Sequence, residues 1–370
     1  MKIITEAGDL RGKRVFLRCD FNVPVTEGKI DDDYRIRKAL PTINFLRGQG
    51  ARIILASHIE TEGEPTLKPI HEYLQKLFPV SFIEDYYPLD ISKEINDVPE
   101  GEVILLENLR KYKEEKANDE NFAKHLASFA DIYIDDAFAT AHREHASIVG
   151  IPKFIQGFAG LLLADEVKNL SLAFNAPHPF VFVLGGAKFD TKLPLINKFL
   201  SLADTIYVGG ALANDLLKAK GFEVGTSVIS EGFDAALILK SEKLLLPIDV
   251  IVENGSDRET KKPEDVKADE RIMDAGMETL KIIKEKIESA AFVLWNGPLG
   301  WFEKGYKEGT DELAQMIAAS SAQSVVGGGD TLSSIASLGI ENKFTFVSTG
   351  GGAMLDFLAN GTLPGVEALK

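Results

Sequence analysis

The chain has 370 residues, 45% hydrophobic and 26% charged, and this length favours two domains of ordinary size. Its net charge of −15 argues against non-specific binding to nucleic acid or to an anionic membrane, and no apolar run approaches the roughly 20 residues that a membrane-spanning helix needs. Cys19 is the only cysteine, so an intrachain disulfide is impossible and a location in the reducing cytoplasm is expected.

Apolar runs in the first half of the chain are typical of buried parallel strands, and each is followed by ionisable side chains. Helical patterns between them cover Asp33–Arg47, Leu67–Leu77 and Glu120–Phe129. An acidic protein that gathers arginines at strand ends is expected to bind an anionic small molecule with them. The runs are Val15–Leu17 before Arg18 and Asp20, Ile53–Ala56 before His58, Val103–Leu106 before Arg110, and Ile132–Ile134 before Asp135 and Asp136.

The middle of the chain predicts a connecting helix. Apolar residues of Phe158–Phe174 fall at roughly helical spacing, and Asn175-Ala176-Pro177 would end the helix. We therefore place the connecting helix within residues 157–175. The last residues, 354–370, are too apolar for a free end and are expected to dock on the body of the protein.

Apolar runs in the second half end in glycine instead. Glycine at the carboxyl end of a strand lets a ligand approach the backbone, and a following helix directs its free N–H groups there. The repetition predicts a phosphate or nucleotide site along one edge of a sheet. The apolar runs are Phe180–Leu184, Thr205–Val208, Ala291–Trp295, Ser324–Val326 and Phe344–Val347. The helical patterns between them cover Thr191–Leu202, Ala211–Ala219, Asp269–Glu288, Thr310–Ser320 and Thr331–Leu338. The charged segment Lys261–Asp269 is predicted to be a surface loop.

This alternation of strands and helices predicts an α/β fold with a doubly wound, Rossmann-like parallel sheet in each half. The P-loop pattern, the G-x-G-x-x-G fingerprint and the G-x-S-x-G elbow are all missing from the sequence. A nucleotide would therefore be bound by another design.

Single residues leave two interpretations open. Lys188 and Lys192 lie four apart at a helix start, either solvated or directed from one face at a triphosphate. Asp330 follows three glycines and is either a helix cap or a ligand of Mg²⁺ on a nucleotide. Gly350-Gly351-Gly352 form either a turn or a helix N-terminus that stabilises a phosphoryl group. Spacing alone does not separate structural from binding roles for Arg35, His58 and Glu303.

Taken together, these motifs resemble the phosphoglycerate kinase family over the whole chain and in order. The matching segments are Arg18-Cys19-Asp20-Phe21-Asn22-Val23-Pro24, Arg35-Ile36, Leu105–Arg110, Asp136–Arg143, Gly185–Lys188 with Lys192, Trp295–Pro298, Gly327–Thr331, Ser348–Gly352 and Leu363–Val366. Several of these segments are highly specific to the family.

The resemblance implies reversible phosphoryl transfer between ATP and 3-phosphoglycerate, giving ADP and 1,3-bisphosphoglycerate, with Mg²⁺ as cofactor. It implies a 3-phosphoglycerate-binding domain at residues 1–156, to which the tail 356–370 returns, and a nucleotide-binding domain at residues 157–355. It also implies a monomer, and the net charge already argues against nucleic acid and membrane as partners.

Site residues follow from the matched positions. The resemblance assigns catalysis to Arg35, Lys188, Gly351 and Gly352. It assigns glycerate binding to Asp20, Phe21, Asn22, Arg35, His58, Arg110 and Arg143. It assigns nucleotide binding to Lys192, Glu303, Gly328, Gly329, Asp330 and Thr331, with Asp330 as the metal ligand.

The chemistry agrees with this assignment. Phosphoryl transfer is catalysed mainly by positioning and charge neutralisation, and a carboxylate acceptor needs no general base. Water must be excluded, which predicts hinge bending around residues 158–174 and 350–352.

One loop departs from the family pattern S-H-L-G-R-P, because Glu60 and Thr61 stand at its glycine and arginine positions. A hydrogen bond to a charged group is worth about 1.5–3 kcal/mol, so glycerate binding is expected to weaken by roughly 10–150-fold. This leaves two alternatives to the active glycolytic enzyme: a kinase for a related carboxylate, and a non-catalytic nucleotide-binding module.

Overall fold

The computed structural model describes residues 1–60, 65–230, 235–255 and 257–370. The chain divides into two compact units, residues 1–168 with 360–370 and residues 169–359. We call these unit 1 and unit 2.

Unit 1 alternates short strands and helices along the chain. Its strands are β1 (Arg14–Arg18), β2 (Val25–Thr26), β3 (Lys29–Ile30), β4 (Arg52–Ala56), β5 (Val80–Ile83), β6 (Val103–Leu106), β7 (Ile132–Asp135) and β8 (Gly157–Ala159). Its helices are α1 (Tyr34–Gly48), α2 (Lys68–Gln75), α3 (Ser92–Asn96), α4 (Lys113–Lys116), α5 (Glu120–Ser128) and the first part of α6 (Leu161–Ser171). The predicted helices correspond to α1, α2 and α5.

The main sheet of unit 1 is parallel, with the strand order β5-β6-β4-β1-β7-β8. Apolar side chains of successive β1 residues, such as Phe16 and Leu17, are fully buried on both faces, as expected for a sheet covered by helices on both sides. The strand order reverses at β1, which has β4 on one side and β7 on the other. Ligands of doubly wound sheets bind outside the carboxyl ends of the strands at such a reversal.

The predicted connecting segment 157–175 is not helical throughout. Gly157–Ala159 form the edge strand β8, because they pair with β7, and α6 begins only at Leu161. The amides of Leu162 and Leu163 donate to Oδ1 of buried Asp136 at 2.8 and 3.1 Å, so this carboxylate holds the start of α6. Burial raises the pKa of Asp136 to about 7.

Unit 2 repeats the architecture. Its strands are β9 (Phe180–Leu184), β10 (Thr205–Val208), β11 (Leu244–Leu245), β12 (Val250–Asn254), β13 (Asp257–Lys261), β14 (Arg271–Ala275), β15 (Phe292–Asn296), β16 (Gln323–Gly327) and β17 (Phe346–Val347). Its helices are α7 (Phe189–Phe199), α8 (Gly210–Ala219), α9 (Ala236–Leu239), α10 (Met277–Glu288), α11 (Glu308–Ala319), α12 (Gly329–Leu338) and α13 (Gly352–Asn360).

The main sheet of unit 2 is also parallel, in the order β11-β10-β9-β15-β16-β17, and it reverses at β9. The glycine-terminated apolar runs are β9, β10, β15, β16 and β17. The predicted fold class, with a doubly wound parallel sheet in each half, is therefore confirmed.

One part of unit 2 differs from the sequence prediction. The predicted helix Asp269–Glu288 is wrong in its first part, because Arg271–Ala275 form strand β14, which pairs antiparallel with β12. Gly276 separates this strand from α10 in an extended conformation. The predicted surface loop Lys261–Asp269 begins inside β13, the exposed edge strand of the same small sheet, β13-β12-β14.

The C-terminal tail packs on unit 1, as expected. After α13 it forms α14 (Pro364–Ala368), and the amide of Gly365 donates to the carbonyl of Ala141 at 2.8 Å. Leu363, Val366 and Leu369 are buried there, so their apolar surface contributes to the stability of this unit.

Candidate functional site

Predicted binding residues of unit 1 meet at the carboxyl ends of β1 and β4. Asp20 Oδ2 accepts a hydrogen bond from Arg35 Nη1 at 2.9 Å, and Asp20 Oδ1 accepts one from the Asn22 amide at 3.0 Å. Arg35 Nη1 also donates to the Asn22 carbonyl at 3.1 Å. The aspartate thus fixes a guanidinium that is one-third exposed, at the start of α1.

His58 lies at the end of β4 among cations. Its ring is buried, with Nδ1 3.2 Å from Arg18 Nη2 and 3.9 Å from Asp20 Oδ1. Burial holds the pKa of His58 well below its usual value, and the charges of Arg18, Arg110 and Arg35 act in the same direction. We call Asp20, Arg35, His58, Arg110 and Arg18 the arginine cluster.

Arg110 carries an internal counter-ion. Its Nη1 forms an ion pair with Glu60 Oε1, and Lys116 Nζ lies 3.2 Å from the same oxygen. The amide of Glu60 donates to Asn22 Oδ1 at 2.8 Å, so Glu60 is anchored beside the cluster. Burial opposes ionisation of Glu60, but Lys116 and Arg110 outweigh it and lower its pKa. Thr61, the other departure from the family pattern, lies outside the described residues.

Two further predicted residues of unit 1 have other surroundings. The Phe21 side chain is fully buried in the core, and its amide donates to Ser57 Oγ at 2.8 Å, so its side chain supports the turn after β1 from inside. Arg143 is exposed. Burial lowers the pKa of His145 to about 4, and the charges of Arg110, Arg18 and Arg143 contribute, so Arg143 belongs to the same positive region.

Unit 2 presents backbone instead of arginines. The turns after β9, β10 and β15 contact each other through main-chain hydrogen bonds: the Gly185 amide donates to Asn296 O at 2.8 Å, Gly186 to Pro298 O at 2.8 Å, and Gly210 to Leu299 O at 3.1 Å. We call Gly185, Gly186, Gly210 and Gly297 the glycine cradle. It lies at the reversal of the unit 2 sheet.

Side chains do not fit in this cradle. A Cβ on Gly185 would lie 2.1 Å from the carbonyl oxygen of Pro298. At Gly210, where φ is +60°, a Cβ would lie 2.6 Å from the Gly186 amide nitrogen. Glycine is therefore required for the close approach of the turns.

Two lysines flank the cradle. Lys188 precedes α7 with a left-handed backbone (φ 68°) and is exposed. Lys192 is buried, and its Nζ donates to the Gly185 carbonyl at 2.8 Å. Burial lowers the pKa of Lys192 to about 8, and the charge of Lys188 contributes in the same direction.

The start of α12 brings the carboxylate of Asp330 to the carboxyl-end edge of the unit 2 sheet. Gly328 precedes the helix at a φ of 107°, and Asp330 lies in its first turn. Thr331 is buried, and its Oγ1 accepts from the Gly297 amide at 3.1 Å, which ties α12 to the cradle. Burial raises the pKa of half-buried Asp330, and the charge of Glu303 adds to this.

A cavity of about 320 Å³ opens beside the cradle within unit 2. Glu303 and Asp330 line it together with apolar residues such as Met273 and Leu299. Tyr207 and Asn214 also line it, and the buried Tyr207 hydroxyl and Asn214 Oδ1 have no hydrogen-bond partner among the described residues. Concave, mainly apolar sites with a few polar groups are typical of small-molecule binding.

Not every predicted residue of unit 2 lines this cavity. Gly351 and Gly352 lie at the start of α13, beyond β17, and are absent from its described lining. Gly351 has a φ of +46°, and a Cβ at either glycine would meet nothing within 4 Å. A side chain would therefore meet no steric hindrance at either position.

Sequence reasoning missed two groups beside the unit 1 site. Lys116 and His145 were not assigned to binding, although Lys116 Nζ lies 3.2 Å from Glu60 Oε1 and His145 is influenced by the same arginines. Arg18 was expected to bind the anion with the other strand-end arginines, but it is fully buried and bonded within unit 1. Lys116 and His145 carried no signal, because only the folded chain brings them to the site.

Comparison with known proteins gives a consistent result. The family model described as phosphoglycerate kinase matches residues 4–361. A phosphoglycerate kinase of Dictyoglomus turgidum is 42% identical over 98% of this chain and 96% of the relative, and one of Clostridium botulinum is 42% identical over 98% and 97%.

Solved structures agree. The phosphoglycerate kinase of Coxiella burnetii has a TM-score of 0.84 and 38% identity, covering 98% of both chains. That of Pyrococcus horikoshii has a TM-score of 0.87 and 32% identity, covering 100% of this chain and 98% of the other.

An α/β phosphotransferase is the class that this fold and these matches define. The chain belongs to the phosphoglycerate kinase family. The predicted family and the predicted kinase activity are confirmed, and none of the three comparisons favours the divergent alternatives.

Proposed function

We propose that the two ligands of the family reaction are divided between the units, with 3-phosphoglycerate bound by unit 1 and Mg-nucleotide by unit 2. One observation carries this proposal: the sheet reversal of unit 1 is lined by arginines, and that of unit 2 by glycine backbone, two lysines and a cavity. Guanidinium groups suit a small anion with a carboxylate and a phosphate. Bare amides beside a cavity suit a nucleotide.

In unit 1, Arg35 and Arg110 supply charge, and Asp20 and Asn22 supply polar contacts for the glycerate. Asp20 already orients Arg35, so the guanidinium is held in place before the ligand arrives. Glu60 occupies Arg110 as an internal carboxylate, and the ligand competes with it.

Neutralising Glu60 is expected to strengthen glycerate binding. In Glu60→Gln the side chain no longer competes for Arg110, and the KM for 3-phosphoglycerate should fall about two- to fivefold, the range of an exposed ion pair. Steady-state kinetics at saturating ATP measure this. The control is Glu84→Gln, which breaks the exposed pair of Glu84 with Lys68 and should leave the KM unchanged. An unchanged or higher KM in Glu60→Gln contradicts the competition.

In unit 2, Lys192 and Lys188 provide positive charge for the phosphates of the nucleotide. The phosphates lie against Gly328, Gly329 and Thr331 at the start of α12. Glu303 lines the cavity and suits the ribose hydroxyls. Asp330 fits Mg²⁺, since this ion takes one or two carboxylates and completes its shell with phosphate oxygens and water. No cluster of three or more metal-binding side chains exists among the described residues, which agrees with a metal that arrives with its nucleotide. Bound there, Mg²⁺ would neutralise phosphate charge.

Nucleotide binding is expected to weaken as pH rises through about 8, because the pKa of Lys192 is lowered to about 8. The ammonium form, present below this pH, attracts phosphates, and the neutral form above it does not. Calorimetric titration with MgATP from about pH 7 to about pH 9 measures the effect. Lys192→Arg should flatten the dependence, since arginine stays charged. Lys243→Arg, which changes a lysine bonded to a carbonyl elsewhere in unit 2, should retain it. A flat wild-type profile contradicts this role of Lys192.

The transfer itself needs no proton acceptor from the protein. A carboxylate oxygen of the glycerate forms the new P–O bond while the bond between the γ-phosphorus and the ADP oxygen breaks. Arg35 and Lys188 stabilise the charge of the transferring group, and the amides of Gly351 and Gly352 donate to it.

Three properties remain part of the proposal. The chain acts as a monomer, in the cytoplasm, and by hinge bending around residues 158–174 and 350–352. No helix among the described residues is both long and apolar enough to cross a membrane. Light scattering tests the monomer, and small-angle scattering tests the hinge. Identical scattering profiles with and without both ligands contradict bending.

The decisive experiment for the reaction is a coupled assay with ATP, Mg²⁺ and 3-phosphoglycerate, repeated with other phosphorylated and plain carboxylic acids. Robust turnover with 3-phosphoglycerate is expected. Turnover only with another acid would instead indicate a kinase for a related carboxylate. No turnover with any acceptor would indicate a nucleotide-binding module.

A further inference from the structure

Arg18 is fully buried, and its guanidinium has three directed contacts in the core of unit 1. Nε donates to Ser147 Oγ at 2.9 Å, Nη1 donates to the Cys19 carbonyl, and Nη2 lies 3.2 Å from His58 Nδ1. A buried guanidinium is costly unless it is paired and hydrogen-bonded. Its orientation is therefore strongly fixed.

The counter-charge for Arg18 is reached through Ser147. The Ser147 hydroxyl donates to Glu115 Oε1 at 2.6 Å, and the Ser147 amide donates to Glu115 Oε2 at 2.9 Å. Since the hydroxyl hydrogen is directed to Glu115, Ser147 Oγ is free to accept from Arg18. The hydrogen bonds then run in one direction, from Arg18 through Ser147 to fully buried Glu115.

The other end of Arg18 determines the state of His58. A guanidinium has donors and no acceptor, so a hydrogen bond between Arg18 Nη2 and His58 Nδ1 requires that Nδ1 accept. We propose that Arg18 is a positioning residue that locks His58 as the neutral tautomer with its proton on Nε2, ready to donate to an anionic ligand. This rests on the proposed binding of 3-phosphoglycerate by unit 1.

The groups that face His58 support the neutral ring. Burial disfavours a positive imidazole, and so do the charges of Arg18, Arg110 and Arg35, so the pKa of His58 is held well below its usual value. The neighbouring His145 is neutral above about pH 4, because its own pKa is lowered to about 4. Asp20 is the opposing group, but its Oδ1 is 3.9 Å from Nδ1. Both Asp20 oxygens already accept hydrogen bonds, from Arg35 and the Asn22 amide.

The tautomer has a consequence for recognition. A neutral imidazole with a proton on Nε2 offers one donor at a fixed atom. Because the pKa of His58 is lowered, the ring stays neutral in the neutral pH range. With the proton on Nδ1 instead, the ring would present an Nε2 lone pair, which repels an anion. Arg18 thus acts on the ligand through His58 without touching it.

Nitrogen NMR of the full-length, ligand-free wild-type chain tests the lock directly. Selectively labelled histidine should show His58 with a bare Nδ1 and a protonated Nε2, unchanged from about pH 5 to about pH 8. A proton on Nδ1, or a ring that titrates in this range, overturns the proposal. Adding 3-phosphoglycerate should then shift the Nε2 signal; an intact tautomer without this shift contradicts the binding role of His58, not the lock.

Substitution gives a second test. In Arg18→Met combined with Glu115→Gln, which avoids an unpaired buried carboxylate, His58 should show a mixture of tautomers. The KM of this double variant for 3-phosphoglycerate should rise about tenfold, and its KM for ATP should be unchanged. Arg14→Lys is the control, because Arg14 lies on the same strand but pairs with Asp131 at the surface. An unchanged His58 tautomer in the double variant overturns the proposal; if the variant does not fold, the wild-type spectrum decides.

Discussion

Replacing Lys188 with alanine is expected to lower kcat by about 10²–10³-fold, the loss found when one preorganised group that stabilises transition-state charge is removed. Lys188 follows the glycine cradle, and its charge reaches Lys192. A phosphoryl group in transit spreads negative charge over its equatorial oxygens, and an ammonium group at this position offsets it. The KM values should change much less than kcat, since the role of Lys188 is in transfer.

Steady-state kinetics of Lys188→Ala beside Lys284→Ala separate this role from a general effect of charge. Lys284 lies exposed on α10 with Glu288 3.8 Å away and outside the described lining of the cavity, so its replacement removes one positive charge from unit 2 at a residue with no proposed role in transfer. It should keep kcat within about twofold of the wild type. A wild-type kcat in Lys188→Ala would contradict catalysis by this lysine, and a raised KM for ATP alone would indicate binding only.

Gly185→Ala is expected to destabilise unit 2 by about 3 kcal/mol, at the upper end of overpacking effects. The added Cβ would lie 2.1 Å from Pro298 O and 2.6 Å from Gly297 O. Both are backbone atoms, so the turn after β15 would have to move and the cradle would open. Nucleotide affinity should therefore fall together with stability.

Chemical unfolding, monitored by a signal from unit 2, measures the loss of stability. Titration of the folded protein with MgATP measures the loss of nucleotide affinity. Gly329→Ala is a matched control for stability, because a Cβ there meets nothing within 4 Å and alanine is a better helix former. Its unfolding free energy should stay within about 0.5 kcal/mol of the wild type. Equal stabilities for the two variants would contradict the close packing of the turns.

Much of the fold could be predicted because the main strands are short apolar runs with glycine or charge at their ends. Both parallel sheets follow from that pattern. The small antiparallel sheet could not be predicted from the sequence. Its strand β13 is mainly charged and exposed, and only Gly276 separates the strand Arg271–Ala275 from the helix that follows it. Pairing with β12, a tertiary effect, decides that segment.

The candidate site was predictable to a different extent in each unit. The glycines and lysines of unit 2 lie close in sequence to the strand ends that position them, so local patterns indicated them. In unit 1 the important contacts join distant segments: Arg110 meets Glu60, and Arg18 meets His58 and Ser147. Sequence showed that Glu60 departs from the family pattern, but only the structure shows that it forms an ion pair with Arg110.

The division of ligands between the units is tested most directly by calorimetric dissociation constants for each ligand alone, measured with Arg110→Met and Lys192→Met. Arg110→Met should weaken 3-phosphoglycerate binding at least about tenfold and leave MgATP binding within about twofold. Lys192→Met should do the reverse. Loss of 3-phosphoglycerate binding in Lys192→Met, with binding retained in Arg110→Met, would contradict the account.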